Sequence, residues 1–224
     1  RISLAGGALP RTWRTARRML LCSGALACGL ASALPAQSAA PRVALVLDQQ
    51  APRFQPQITA FQREIQGFFR PGEITLLPPL AGDGTSAGVW RVLDRALRDS
   101  SVSMVVTLGP IGSHLVARAS NGNKPAIAAT IVDPSWQGIP GKDGASGIRN
   151  VAYVDESYAL SGTIAEFHRL FPFRRMAILL DPELLRAIPA LEANARDLVR
   201  STGADAVVVP ARGTADQILA ALPT

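Results

Sequence analysis

Short apolar runs of strand length recur along the chain, with polar or glycine-containing segments between them. The runs occupy positions 43–47, 74–77, 104–108, 126–132, 176–180 and 206–209. Because most are continuous rather than alternating, they are typical of strands buried on both faces of a parallel sheet. Stripes of apolar residues at helical spacing lie between them and start at Phe54, Val89, Ile111, Leu160, Ile188 and Ile218. This alternation predicts an α/β fold with doubly wound parallel sheets, in which the stripes pack as core.

The order of elements breaks once, between residues 133 and 150, where two prolines and four glycines interrupt the pattern. Such a long irregular stretch is unusual inside one compact domain. We therefore predict two α/β lobes, at 41–148 and 149–224, with a short strand at 149–153 entering the second lobe. Only two clear strands follow before residue 224, so we expect this second lobe to be truncated.

The first 40 residues have the pattern of an export signal. Four arginines between positions 11 and 18 precede an apolar stretch at 19–34, and small residues follow. We predict a signal peptide at 1–40 and a periplasmic protein. Cleavage is expected after Ser38, with Ala33 as the alternative. The apolar stretch is short for a membrane span, which needs about 20 residues.

Two other kinds of signal are less consistent with this segment. Cys28 ends an Ala-Leu-Ala-Cys sequence that resembles a lipoprotein site, but the residue three positions before such a cysteine is normally leucine. The pair Arg17-Arg18 resembles a twin-arginine signal, and an ordinary basic n-region accounts for it equally well. We therefore expect no lipid anchor at Cys28 and contact with a membrane only through a partner.

The charge of the chain is concentrated in this segment. The net charge is +6, but five of the 23 basic residues lie in the first 40 positions, which hold no acidic residue. The remainder carries 18 basic and 17 acidic side chains, so it lacks the basic surface that nucleic acid requires. Both cysteines, Cys22 and Cys28, also lie in the signal, so no disulfide is expected after cleavage.

The usual signs of catalysis are missing from the sequence. His114 and His168 each stand without a second metal ligand at suitable spacing. No nucleophile elbow or phosphate-binding loop occurs, and the glycine-rich segment at 82–88 lacks the spacing of a dinucleotide site. We therefore predict no enzyme activity, metal or cofactor.

The candidate binding residues follow the predicted strands, because ligands of open α/β sheets lie beyond the carboxyl ends of the strands. Glycines there let backbone approach a ligand, and free N–H groups at a helix start favour a carboxylate. Acidic side chains could bind an ammonium group, and a tryptophan could stack on the ligand. Glycine and aspartate are also ordinary turn residues, so the same positions are consistent with turns alone. We predict ligand contacts at Asp48, Gln49, Gly109, Pro110, Ile111, Gly112, Ser113, Asp133 and Trp136. Tyr153, Asp155 and Asp181 are weaker candidates in or near the second lobe.

Five stretches together resemble type I periplasmic binding proteins, and among these the ABC-transporter substrate-binding family of the tryptophan-binding-like type. They lie at 105–110, 124–134, 146–151, 170–179 and 214–218. The crossover departs from that family's usual Asn-Val-Thr-Gly, and the first loop at 48–52 is not its commonest form. The resemblance covers about residues 42–224 and implies two lobes that close around a ligand about a hinge.

The predicted function is therefore that of an exported solute-binding protein of an ABC transporter. Its partners would be an amino-acid-like or sugar-like small molecule and an ABC permease or another envelope protein. The alternative is a periplasmic sensory or efflux-associated component that uses the same fold against a protein partner. An exported enzyme is a third reading, and it would need a catalytic cluster outside this sequence.

Overall fold

Strands and helices alternate along the chain as the hydrophobic pattern predicts. The computed structural model describes residues 39–119, 123–141, 145–155 and 157–220. The elements are β1 (Arg42–Leu47), α1 (Gln55–Gly67), β2 (Thr75–Leu76), β3 (Leu80–Ala81), α2 (Ser86–Arg98), β4 (Met104–Leu108), α3 (Pro110–Ala119), β5 (Ala126–Ile131), β6 (Val151–Asp155), α4 (Ser157–Leu170), β7 (Arg175–Leu180), α5 (Pro182–Ala187), α6 (Ala190–Arg200), β8 (Asp205–Pro210) and α7 (Ala215–Ala220).

The first lobe is built on a parallel sheet with strand order β2-β1-β4-β5-β6, and β3 also pairs with β1. Its central strands are buried on both faces. Leu93 of α2 and Val116 of α3 pack against one face, and Phe61 of α1 packs against the other. The predicted α/β class with parallel strands is therefore confirmed, and the continuous apolar pattern of β1 and β4 reflects burial on two sides.

The described part of the second lobe contains a parallel pair, β7 and β8. Met176 and Ile178 on one face of β7 pack with Ile164 of α4 and Val199 of α6. On the opposite face of β7, Leu179 is 45% exposed. The continuous apolar run at 176–180 predicts a strand buried on both faces, but β7 is packed on one face only. Helix α5, which no predicted stripe covers, packs against α2 and α3 of the first lobe.

One strand lies in a different lobe from the one expected. We predicted that a strand at 149–153 enters the second lobe, but β6 pairs with β5 in the first sheet, with Val151 opposite Ala126. The Ser146 hydroxyl donates a hydrogen bond to the carbonyl of Val151 and helps hold the strand at this edge. Only Val151 of β6 is buried, as expected for an edge strand.

The remaining predictions about targeting concern residues outside the described ranges. Residues 1–38 of the predicted signal, including both cleavage positions and Cys28, belong to that part of the chain. Within the described ranges, no helix is both long and apolar enough to cross a bilayer.

Candidate functional site

The carboxyl ends of β1 and β4 meet at one edge of the first sheet, because Leu47 pairs with Leu108 in parallel register. Asp48 therefore lies beside Gly109, directly before α3. Its carboxylate accepts hydrogen bonds from the N–H of Ile111 at 2.9 Å and from the N–H of Gly112 at 2.7 Å. The chain's own carboxylate thus occupies the start of α3, where the helix dipole favours negative charge.

Gly109 makes this contact possible in two ways. Its φ of 134° lies in a region that side-chain-bearing residues rarely adopt. A Cβ at this position would also lie 2.5 Å from Cγ of Asp48. Glycine is therefore required at this position by the close approach of Asp48. We predicted that this turn approaches a ligand, and in the structure the group that approaches it is the carboxylate of Asp48.

The pKa of Asp48 reflects two opposing influences. Burial raises it above the usual value of 3.8, and the hydrogen bonds from Gly112 and Ile111 act in the lowering direction. The side chain remains partly exposed at the edge of the sheet. Asp48 is therefore held in place by α3, and it also lines a cavity.

That cavity, which we call the cleft cavity, has a volume of about 450 Å³ and lies between the two lobes. It is lined by Leu47, Asp48, Gln49, Phe54, Gln57, Ile58, Phe61, Gly84, Leu108, Gly109, Pro110, Ile111, Asp181, Leu184 and Arg212. Most of these side chains are apolar, and few charged groups are present. Such a combination is typical of small-molecule sites, in which apolar walls surround a few polar groups that orient the ligand.

The second lobe contributes a charged pair to the cleft cavity. Arg212 follows β8, and its Nη2 lies 3.2 Å from Oδ1 of Asp181. Asp181 also caps α5, since the N–H of Glu183 donates to it at 2.8 Å. Both side chains of the pair are about half-exposed, so the pair itself stabilises the fold by little, about 0–1 kcal/mol. Its position places a guanidinium on the wall that the second lobe provides.

The predicted binding residues divide into two groups. Five of them line the cleft cavity: Asp48, Gln49, Gly109, Pro110 and Ile111. The other four are outside its lining, and two of these, Gly112 and Ser113, are buried in α3.

Each residue of the second group has contacts within the protein. Gly112 donates its N–H to Asp48. The hydroxyl of Ser113 lies 3.0 Å from Oγ1 of Thr107 and accepts a hydrogen bond from the N–H of Thr130. The carboxylate of Asp133 accepts from the N–H groups of Ser135 and Trp136 and so stabilises its own turn. Trp136 is half-buried in that turn.

Several lining residues were missed by the sequence reasoning. The stripe that starts at Phe54 and includes Phe61 predicts core packing, yet both residues line the cleft cavity, and Phe54 is 39% exposed. Arg212 and Leu184 come from the second lobe, and no local pattern marks them as neighbours of β1. Asp181, a weaker candidate, does line the cavity, whereas Tyr153 and Asp155 do not.

Comparisons with known proteins show the same architecture. An ABC domain in complex with L-Trp from Streptococcus pneumonia has a TM-score of 0.58 and 13% identity, over 77% of this chain and 57% of that chain. A periplasmic sugar-binding protein from Legionella pneumophila has a TM-score of 0.55 and 14% identity, over 79% of this chain and 63% of that chain. A leucine-binding protein from Thermotoga maritima has a TM-score of 0.57 and 13% identity, over 77% of this chain and 49% of that chain.

These likenesses establish the fold. The chain has the type I periplasmic-binding-protein fold, which confirms the resemblance at that level. It spans about half to two thirds of the length of each of these three structures. No family model matches the sequence, and no curated protein matches it.

Proposed function

We propose that this chain is an exported, periplasmic solute-binding protein of an ABC transporter, and that it holds a small ligand between its lobes by hinge closure. The cleft cavity is the observation that carries this proposal. It lies at the carboxyl ends of the first-lobe strands, where α/β sheets bind ligands, and the second lobe supplies its opposite wall. No chemical step is required, because closure of two lobes around a solute is binding alone.

The lining of the cleft cavity favours a ligand with an apolar body and two charges. Asp48 stands on the wall of the first lobe and suits an ammonium group. Arg212 stands on the wall of the second lobe and suits a carboxylate, because its guanidinium offers several donors. Phe54, Ile58 and Leu184 are suited to an apolar side chain. An amino-acid-like zwitterion therefore fits better than a sugar, which would need polar partners around its whole perimeter.

The alternative, a sensory or efflux-associated component that contacts a protein partner, is favoured by a separate observation. Phe167, Leu170 and Phe171 at the end of α4 are 46%, 61% and 65% exposed, and the rings of Phe167 and Phe171 lie 5.7 Å apart. Exposed apolar groups of this kind are common at sites of protein contact. They do not line the cleft cavity, so the two functions can be tested separately.

A thermal-shift screen of the full chain against apolar amino acids, charged amino acids and sugars tests the proposal. A ligand that binds only the native state raises the midpoint of unfolding by mass action. We expect a rise with apolar amino acids that is lost in Arg212→Gln and in Asp48→Asn. The matched control is Asp205→Asn at the exposed start of β8, which should keep the rise. A rise of the midpoint with sugars only, or an equal rise in all variants, would refute apolar amino acids as the ligand class. No rise with any compound would favour the protein-partner alternative.

A further inference from the structure

A second cavity lies beside α3 and has a different character from the cleft cavity. Its volume is about 390 Å³, and it is bounded by α2, α3 and α5. We call it the arginine cavity; it is lined by Ser86, Trp90, His114, Leu115, Arg118, Ala119, Arg186 and Ala187. It shares no lining residue with the cleft cavity, so the proposed function makes no use of it.

The charged groups of the arginine cavity are hydrogen-bond donors. Arg118 of α3 and Arg186 of α5 each present a guanidinium, which has donors and no acceptor. Arg186 is also paired with Glu183 one turn earlier on α5, and Glu183 is not among the lining residues. No acidic side chain occurs in the lining that the structure describes. Because Glu183 offsets the charge of Arg186, the positive charge of the described lining comes mainly from Arg118.

The contacts of His114 identify the protonated nitrogen of its ring. Gln137 is buried, and its Oε1 accepts hydrogen bonds from the N–H of Val132 at 2.8 Å and of Asp133 at 3.3 Å. Its amide nitrogen therefore faces Nδ1 of His114, at 3.5 Å. Since that nitrogen can only donate, Nδ1 is the acceptor and the neutral ring carries its proton on Nε2. His114 thus adds a further donor rather than an acceptor.

Two further lining residues complete this environment. The hydroxyl oxygen of Ser86 is buried and has no hydrogen-bond partner among the described residues. Burying a hydroxyl without a partner is unfavourable, so a rotation of this side chain toward a bound oxyanion would be favourable. Trp90 on α2 is 36% exposed and supplies an aromatic wall.

We propose that the arginine cavity binds a small organic anion, with its phosphate or carboxylate group on Arg118 and Arg186 and its flat body against Trp90. Charge-assisted hydrogen bonds from guanidinium groups to such oxyanions are among the stronger polar contacts in proteins. Burial and the nearby Arg118 lower the pKa of His114 to about 4, so its ring is neutral at neutral pH, with its proton on Nε2. Because α5 belongs to the second lobe, the anion would also link that lobe to α2 and α3.

Titration of the full chain with phenyl phosphate, benzoate and phenol, followed by tryptophan fluorescence and calorimetry, tests this inference. We expect saturable binding of both anions, with phenol weaker by about tenfold or more. The double variant Arg118→Gln/Arg186→Gln should lose about tenfold in affinity for the anions. Arg91→Gln, on the exposed side of α2 next to Trp90 and outside the lining, is the matched control and should bind as the unchanged chain does.

Three results would overturn the proposal. These are no saturation with either anion in the millimolar range, equal binding of phenol, or equal binding by the double variant and the Arg91→Gln control. Stronger binding of phenyl phosphate than benzoate would identify a phosphate ester as the preferred source of the oxyanion, and the reverse would identify a carboxylate. Arg212→Gln, which tests the cleft cavity, should leave these titrations unchanged, so the two proposals fail independently.

Discussion

The two cavities that flank α3 differ in charge although the same helix contributes to both. At its start, α3 offers two backbone N–H groups, and the chain satisfies them with its own carboxylate, Asp48. Further along, α3 presents His114 and Arg118, and the lining described there contains no acidic side chain. The cleft cavity is thus largely apolar, with Asp48 on the first lobe and the Arg212–Asp181 pair on the second, whereas the arginine cavity offers donors. One helix consequently separates a site suited to a zwitterion from one suited to an anion.

The largest effect is expected where the contact between Asp48 and α3 depends on backbone geometry. Gly109→Ala would introduce a Cβ 2.5 Å from Cγ of Asp48, at a φ of 134°. We expect the free energy of unfolding to fall by about 3 kcal/mol, since both the strain and the displaced carboxylate are costly. Chemical denaturation monitored by circular dichroism measures this loss.

Two glycine controls separate the causes of that loss. Gly67→Ala at the end of α1 meets no atom within 4 Å and should change stability by less than about 1 kcal/mol. Gly72 has a φ of 85° but an equally open surrounding, so Gly72→Ala should show the backbone strain alone, about 1 kcal/mol. A loss for Gly109→Ala no larger than that for Gly72→Ala would mean that Asp48 readily moves aside, and α3 would then be available to a ligand carboxylate.

A smaller effect is expected from removing the carboxylate itself. Asp48→Ala leaves the N–H groups of Ile111 and Gly112 without their acceptor, and we expect a loss of about 1–2 kcal/mol in the free energy of unfolding. The same variant should allow an added carboxylate to bind at the start of α3, which acetate titration with amide chemical shifts would detect. Unchanged shifts for Ile111 and Gly112 would show that the helix start is closed to external anions even without Asp48.

The comparison also shows which parts of the site are accessible to sequence reasoning. The rule that ligands lie beyond the carboxyl ends of parallel strands places Asp48 and Gly109 at the same edge of the sheet. Their proximity follows from the β1–β4 pairing, which the sequence pattern does not predict. The rule does not predict that Asp48 takes the N–H groups of α3, because that depends on a φ value and an approach of a few ångströms. Arg212 was missed because it is brought to β1 by the packing of two lobes. The arginine cavity was missed because its residues come from three helices, and each looks like an ordinary surface or core position.

The smallest expected effect concerns His114 and the pH dependence of stability. Burial, with Arg118 adding to it, lowers the pKa of His114 to about 4, below the value of 6.5 that the residue has when unfolded. As the pH falls from about 6.5 to 4, the unfolded chain gains a proton that the folded chain does not, so stability is lost across this window. We expect His114→Gln to remove about 1 kcal/mol of the loss measured between pH 7 and pH 4, after allowance for solvent screening.

The anion proposed for the arginine cavity should alter this pH dependence of stability. The pH profile therefore gives a second test of where the anion binds. A bound oxyanion beside His114 would favour its charged form and raise its pKa, so less stability would be lost on acidification. Phenyl phosphate should therefore reduce the loss between pH 7 and pH 4 in the unchanged chain and have no such effect in His114→Gln. Equal pH profiles with and without saturating phenyl phosphate would place the anion away from His114. A ligand of the cleft cavity should leave the profile of His114 as it is, because that cavity has no lining residue in common with the arginine cavity.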